Sequence, residues 1–85
     1  MKNKTTLPKW FDGTIYDKGD TVTNPFSGDT YELNNLELSM YDLIMGLTMT
    51  LERTGFRSEK LMKDHRRGLE WFRSANPEAY MTLLD

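Results

Sequence analysis

The 85-residue chain contains no cysteine and a single histidine. The first absence excludes a disulfide framework and a thiolate metal site. It also removes the thiol nucleophile, and no Gly-x-Ser-x-Gly sequence supplies a serine in its place. No apolar run approaches the roughly 20 residues that a membrane-crossing helix needs, so no membrane partner is expected. Lys2 and Lys4 are followed by polar residues rather than an apolar h-region, and no signal peptide is expected. There is no internal repeat and no low-complexity segment. Residues 1–85 read as a single domain near the small end of what folds alone, with a composition that fits an intracellular protein.

The formal net charge is only −2, but it is unevenly spread. Residues 1–50 carry four lysines against seven acids, residues 51–75 carry seven Lys/Arg against four acids, and the last ten residues add two acids. The chain is therefore an acidic front, a basic helix and a short acidic tail.

The stretch Leu33 to Phe56 has both helix ends written into it. Asn34 is a cap, and Glu37 stands where its carboxylate reaches back to the cap's N–H. Leu33 and Leu38 occupy the positions of a hydrophobic staple. Gly55 suits the left-handed residue past the helix, with Phe56 expected to fold back on Leu51. Spacing at about 100° per residue sorts two apolar stripes. One is Leu36, Met40, Leu43, Ile44, Leu47 and Leu51. The other, nearly opposite, is Leu38, Tyr41, Met45 and Met49. Two stripes mean that both sides are covered, by the rest of the chain or by another copy. Leu38, Tyr41, Met45 and Met49 are accordingly the candidate oligomer interface; the competing reading makes them core against the hairpin.

Ahead of this helix, Met1 to Thr6 is polar and expected to be mobile. Leu7 to Phe11 is extended, because Pro8 disfavours helix at Leu7; Trp10 and Phe11 are expected to pack in the core. Residues 10–33 read as a β region. Gly13 to Tyr16 and Thr21 to Thr23 are short strand candidates. The turn Asn24-Pro25-Phe26-Ser27-Gly28-Asp29 returns the chain to Thr30–Leu33. Asp12, Asp17, Asp20 and Asp29 do not match the spacing of a calcium loop, and turn chemistry accounts for them.

A second helix, 59–73, starts at the cap Ser58. Its apolar arc holds Leu61, Met62, His65, Gly68, Leu69 and Phe72. Gly46 and Gly68 are expected to face each other across a close crossing of two antiparallel helices. Asn76-Pro77-Glu78 starts a third, short helix over 77–84. The fold class expected is α+β: an N-terminal β-hairpin region followed by two main antiparallel helices and a short C-terminal helix.

Candidate chemistry is sparse. His65 lacks an orienting partner and a nucleophile in the sequence, so a packed, hydrogen-bonded histidine is expected. Lys60, Lys63, Arg66 and Arg67 form the one possible phosphate-binding cluster. Glu59–Lys63 and Arg66–Glu70 are i,i+4 pairs that would neutralise part of it, so a solvated helix face is favoured and nucleic-acid binding is not expected. No catalytic constellation, metal site or cofactor signature is present, and an enzyme is not expected.

The runs Val22-Thr-Asn-Pro-Phe-Ser-Gly-Asp-Thr-Tyr-Glu-Leu33, Leu36-Glu-Leu-Ser-Met-Tyr-Asp-Leu-Ile-Met-Gly46 and Trp71-Phe-Arg-Ser-Ala-Asn-Pro-Glu-Ala-Tyr-Met-Thr-Leu-Leu-Asp85 resemble a group of short uncharacterised proteins from T4-like marine phages and ocean metagenomes. The resemblance implies a viral origin, with action in the cytoplasm of a bacterial host or in the virion. It transfers no binding or catalytic residue. The function expected is a homo-oligomeric protein-interaction or structural module, most simply a dimer, that could also engage a phage or host protein. The alternative is a nucleic-acid-binding accessory protein using the basic helix.

Overall fold

The computed structural model describes residues 6–84. Two strands, β1 (Asp20–Thr23) and β2 (Thr30–Leu33), form an antiparallel hairpin. Three helices follow: α1 (Asn35–Thr54), α2 (Glu59–Ala75) and α3 (Pro77–Leu83). The architecture is the expected α+β hairpin-and-helices arrangement. The expectation of a mobile start concerns residues that, Thr6 apart, lie outside those described.

Local signals set the element ends. Asn34 Oδ1 accepts the Glu37 N–H over 2.8 Å while Glu37 Oε1 accepts the Asn34 N–H over 3.0 Å, closing the capping box. Gly55 ends α1 with φ of 76°, and the Phe56 N–H reaches back to the Leu51 carbonyl over 2.8 Å. The Phe56 side chain does not follow its backbone inward; it remains about half exposed, and φ at Phe56 is also positive. Ser58 caps α2, and Asn76 caps α3 through Oδ1 to the Ala79 N–H, with Pro77 in the first turn.

In the hairpin loop, Asn24 Oδ1 accepts the Phe26 N–H, and the Gly28 N–H donates to the Asn24 carbonyl. The strands pair Asp20 with Leu33 and Thr23 with Thr30. Before β1, the strand expected at Gly13–Tyr16 does not form. At Tyr16 the backbone is bonded instead by side chains of α1: Ser39 Oγ accepts the Tyr16 N–H over 2.9 Å, and Asn35 Nδ2 donates to the Tyr16 carbonyl over 3.3 Å. With the Tyr16 groups satisfied and Gly13, Thr14 and Ile15 exposed to water, the segment has no need of a strand partner. Residues 6–19 are an irregular strap over the helices, and the β region contracts to two four-residue strands.

α1 and α2 run antiparallel: Thr48 meets His65, Ile44 meets Gly68, and Tyr41 meets Phe72. Leu33, Met40, Ile44, Trp71, Phe72, Ala75, Ala79 and Leu83 form the core, so all three helices and β2 contribute. The expected glycine crossing is half right. A Cβ at Gly68 would stand 3.0 Å from Ile44 Cγ1, whereas Gly46 is exposed with nothing within 4 Å.

α2 also presents a different face from the one its apolar arc suggests. Asp64, Gly68, Trp71, Phe72 and Ala75 are buried, while Leu61, Met62, His65 and Leu69 are half-buried. The strap explains the rotation. Trp10 packs against the core cluster, and the Arg67 guanidinium lies 4.8 Å from the centre of its ring, so the Asp64–Trp71 side of α2 is covered.

Candidate interaction surface

The second apolar stripe of α1 is divided by the fold. Leu38 and Tyr41 pack on the core, with the Tyr41 and Phe72 rings 6.3 Å apart in a tilted contact. Burial raises the Tyr41 pKa above its ordinary value. Met45 is half-buried, and Met49 is 64% exposed. The four candidate interface residues thus do not form one open face. Leu38 and Tyr41 belong largely to the monomer, because α2 contributes Phe72 against Tyr41. Met45 and Met49 remain at the surface.

Met45 lines a groove of about 260 Å³. Its walls come from all three helices and the hairpin loop: Ile44 and Thr48 from α1, His65 and Leu69 from α2, Leu83 and Leu84 at the end of α3, and Asn24 and Phe26 from the loop. The loop is held in place by the Asn24 side chain, whose Nδ2 donates to the Thr82 carbonyl over 3.0 Å. Phe26, at the rim, is 96% exposed. An isolated exposed apolar residue is ordinary, but a phenyl ring at the lip of an apolar groove beside Met45 forms a patch suited to recognition.

His65 is the polar group of that groove. Thr48 Oγ1 donates its proton to the Ile44 carbonyl over 2.9 Å, so toward the imidazole it accepts; the 2.8 Å contact therefore places the ring proton on His65 Nε2. Burial pushes the His65 pKa down from 6.5 and favours this neutral form. The histidine is packed and hydrogen-bonded, as its position in the apolar arc suggests.

The basic cluster is likewise divided. Asp64, which is buried, takes Lys60 Nζ on one oxygen at 2.8 Å and Arg67 on the other. The Lys60 hydrogen bond, followed by that of Arg67, holds the Asp64 carboxyl below its ordinary pKa. Lys63 and Arg66 are exposed. The expected Glu59–Lys63 and Arg66–Glu70 pairs do not form among the described residues, where the two ion pairs are both those of Asp64. Asp64 competes successfully for Lys60 and Arg67 because it is the acid drawn into a poorly solvated position under the strap. A second, smaller cavity of about 130 Å³ lies there, between Trp10 and Asp12 of the strap and Leu43, Leu47 and Leu61 of the helices.

Three sets of residues were not marked by their sequence pattern. Phe26 reads as a turn residue, Asp64 as part of a charged helix face, and Glu37 with Asn76 as two separate caps. The pairing of Asn24 with a following Pro and Gly was the one local sign that the loop carrying Phe26 would be well defined.

The class defined by this fold is a small α+β domain with an apolar groove between hairpin tip and helices. No family model matches the chain, and no similar curated protein or solved structure was found. Among the described residues no helix is long and apolar enough to cross a membrane.

Proposed function

We propose that the chain is a homo-oligomeric protein-interaction or structural module that uses the groove face of α1 and the hairpin tip. The observation that carries this reading is Phe26, 96% exposed at the rim of an apolar groove that also contains Met45. Burial of such surfaces stabilises association, and methionine adapts readily to a partner's shape. The resemblance of residues 22–46 and 71–85 to phage proteins would set this module in an infected bacterium or a virus particle. Nucleic-acid binding ranks below it, since Lys60 and Arg67 are engaged by Asp64 and Arg67 stacks on Trp10.

Sedimentation equilibrium at roughly 50 μM, where even a weak dimer is populated, tests the reading. The wild type is expected above the 10.0 kDa of one chain, with Met45→Glu and Met49→Glu shifting it toward monomer. A wild type that stays monomeric would rule the module's self-association out.

A further inference from the structure

Phe26 is held out in water by a loop that is itself tied down. Asn24 Nδ2 is bonded to the Thr82 carbonyl, and Asn24 Oδ1 accepts the Phe26 N–H over 2.8 Å. A ring presented on a fixed backbone loses little freedom when it docks, and its full apolar surface is still available for burial. Beside this knob is a hole, the recess of about 260 Å³ between Met45, His65 and Leu69.

The flanking charges are of opposite sign. On the hairpin, Asp29 is exposed at the loop end, three residues after Phe26 and next to the Thr23–Thr30 pair. On α2, Arg66 and Arg73 are exposed three residues before and four residues after Leu69, a helix residue that lines the groove. Neither Asp29 nor Arg66 takes part in the ion pairs of the described residues, which both belong to Asp64. A surface with knob and acid on the hairpin side, and hole and base on the α2 side, is complementary to itself after a half-turn.

We infer that the groove is covered by a second copy of this chain, in a two-fold dimer where Phe26 of each protomer enters its partner's groove and Asp29 of each faces the partner's Arg66. This arrangement rests on the homo-oligomer reading and specifies its geometry. It places the contact on the hairpin tip as well as on α1, which an interface confined to the Met45–Met49 stripe would not require.

Sedimentation velocity on the full chain, with far-UV circular dichroism as a check on folding, distinguishes the cases. Because Phe26 is almost wholly exposed, Phe26→Asp should leave the fold intact and raise the dimer Kd by at least about tenfold, the scale of an aromatic anchor. Asp29→Arg and Arg66→Asp should each weaken the dimer, and the double variant should recover most of the lost affinity. A wild type that is monomeric overturns both this geometry and the homo-oligomer reading. A dimer whose Kd is unmoved by Phe26→Asp, or whose charge-swapped double variant binds no better than the single reversals, overturns this geometry alone.

Discussion

Asn76 Nδ2 donates to Glu37 Oε2 over 3.1 Å, joining two buried side chains that are 39 residues apart. Each is also a helix cap residue: Glu37 closes the box at the start of α1, and Asn76 caps α3. Tyr31 of β2 adds its hydroxyl, 2.9 Å from Glu78 Oε1 and 3.4 Å from Asn76 Oδ1. Two local capping motifs thereby become one polar joint that fixes the α2–α3 corner against the start of α1 and the hairpin. Low local dielectric strengthens such bonds and makes their loss costly.

Asn76→Ala should therefore lower stability by about 2–3 kcal/mol, combining a lost cap with a lost buried donor to a carboxylate. Asn76→Asp separates the two contributions. Aspartate preserves the α3 cap but sets one carboxylate against another, so it too should destabilise. Urea denaturation measures both, and an Asn76→Asp variant as stable as wild type would reduce Asn76 to a cap.

Gly19, just before β1, should be the least replaceable glycine. A Cβ there would stand 1.9 Å from the Leu33 carbonyl oxygen, inside any contact distance, and the obstructing atom is backbone. Gly19→Ala must displace the β1–β2 hairpin from the start of α1, at a cost of several kcal/mol. Gly28 offers a contrast: its φ is 82° but its surroundings are open, so Gly28→Ala should cost only about 1 kcal/mol. Thermal melts of the two variants should rank them in that order.

Gly46 and Gly68 should respond with opposite signs. Gly46→Ala adds a methyl group in open space on an exposed helix and should stabilise by up to about 1 kcal/mol. Gly68→Ala gains the same propensity, but its Cβ presses on Ile44 Cγ1 at 3.0 Å and approaches Met40 Sδ at 3.5 Å, both in the core. Overpacking should outweigh propensity and leave the variant less stable than wild type by chemical denaturation.

Stability should fall on acidification through two groups, each depressed in the folded state. His65 has a folded pKa below 6.5, so the unfolded chain binds its proton first and stability declines as the pH drops below 6.5 toward the folded value. Asp64 is also depressed, chiefly by Lys60 and then Arg67; its contribution is present above the ordinary 3.8 and is lost as the pH falls from there through the folded value. Urea midpoints across pH should show the His65 contribution vanish in His65→Gln, which cannot titrate but can still donate to Thr48. Asp64→Asn should remove the Asp64 contribution only.

Several features were legible in the chain because their physics closes within about four residues. The capping box of Asn34 and Glu37, the left-handed Gly55, the Ser58 cap, the Asn76-Pro77 restart and the Asn24–Asp29 turn each satisfy backbone groups from immediate neighbours. The antiparallel helix pair and the α+β order follow from those ends together with the apolar spacing. Met45 and Met49 were legible as members of a second apolar stripe, but whether that stripe was interface or core against the hairpin was not.

Tertiary structure alone decided the rest, since it depended on partners far along the chain. Trp10 stacking under Arg67 turned α2 so that Asp64 and Trp71 are buried and the basic cluster is divided. Ser39 and Asn35 bound the Tyr16 backbone and left no strand at Gly13–Tyr16. The helix crossing fell on Gly68 and missed Gly46, because it is set by where Ile44 and Met40 meet α2. Phe26 became part of an apolar groove only when Asn24 reached across 58 residues to Thr82. Local sequence specifies which backbone groups are satisfied where they stand; long-range packing selects which side chains remain in water, because that choice requires every other element to be in place.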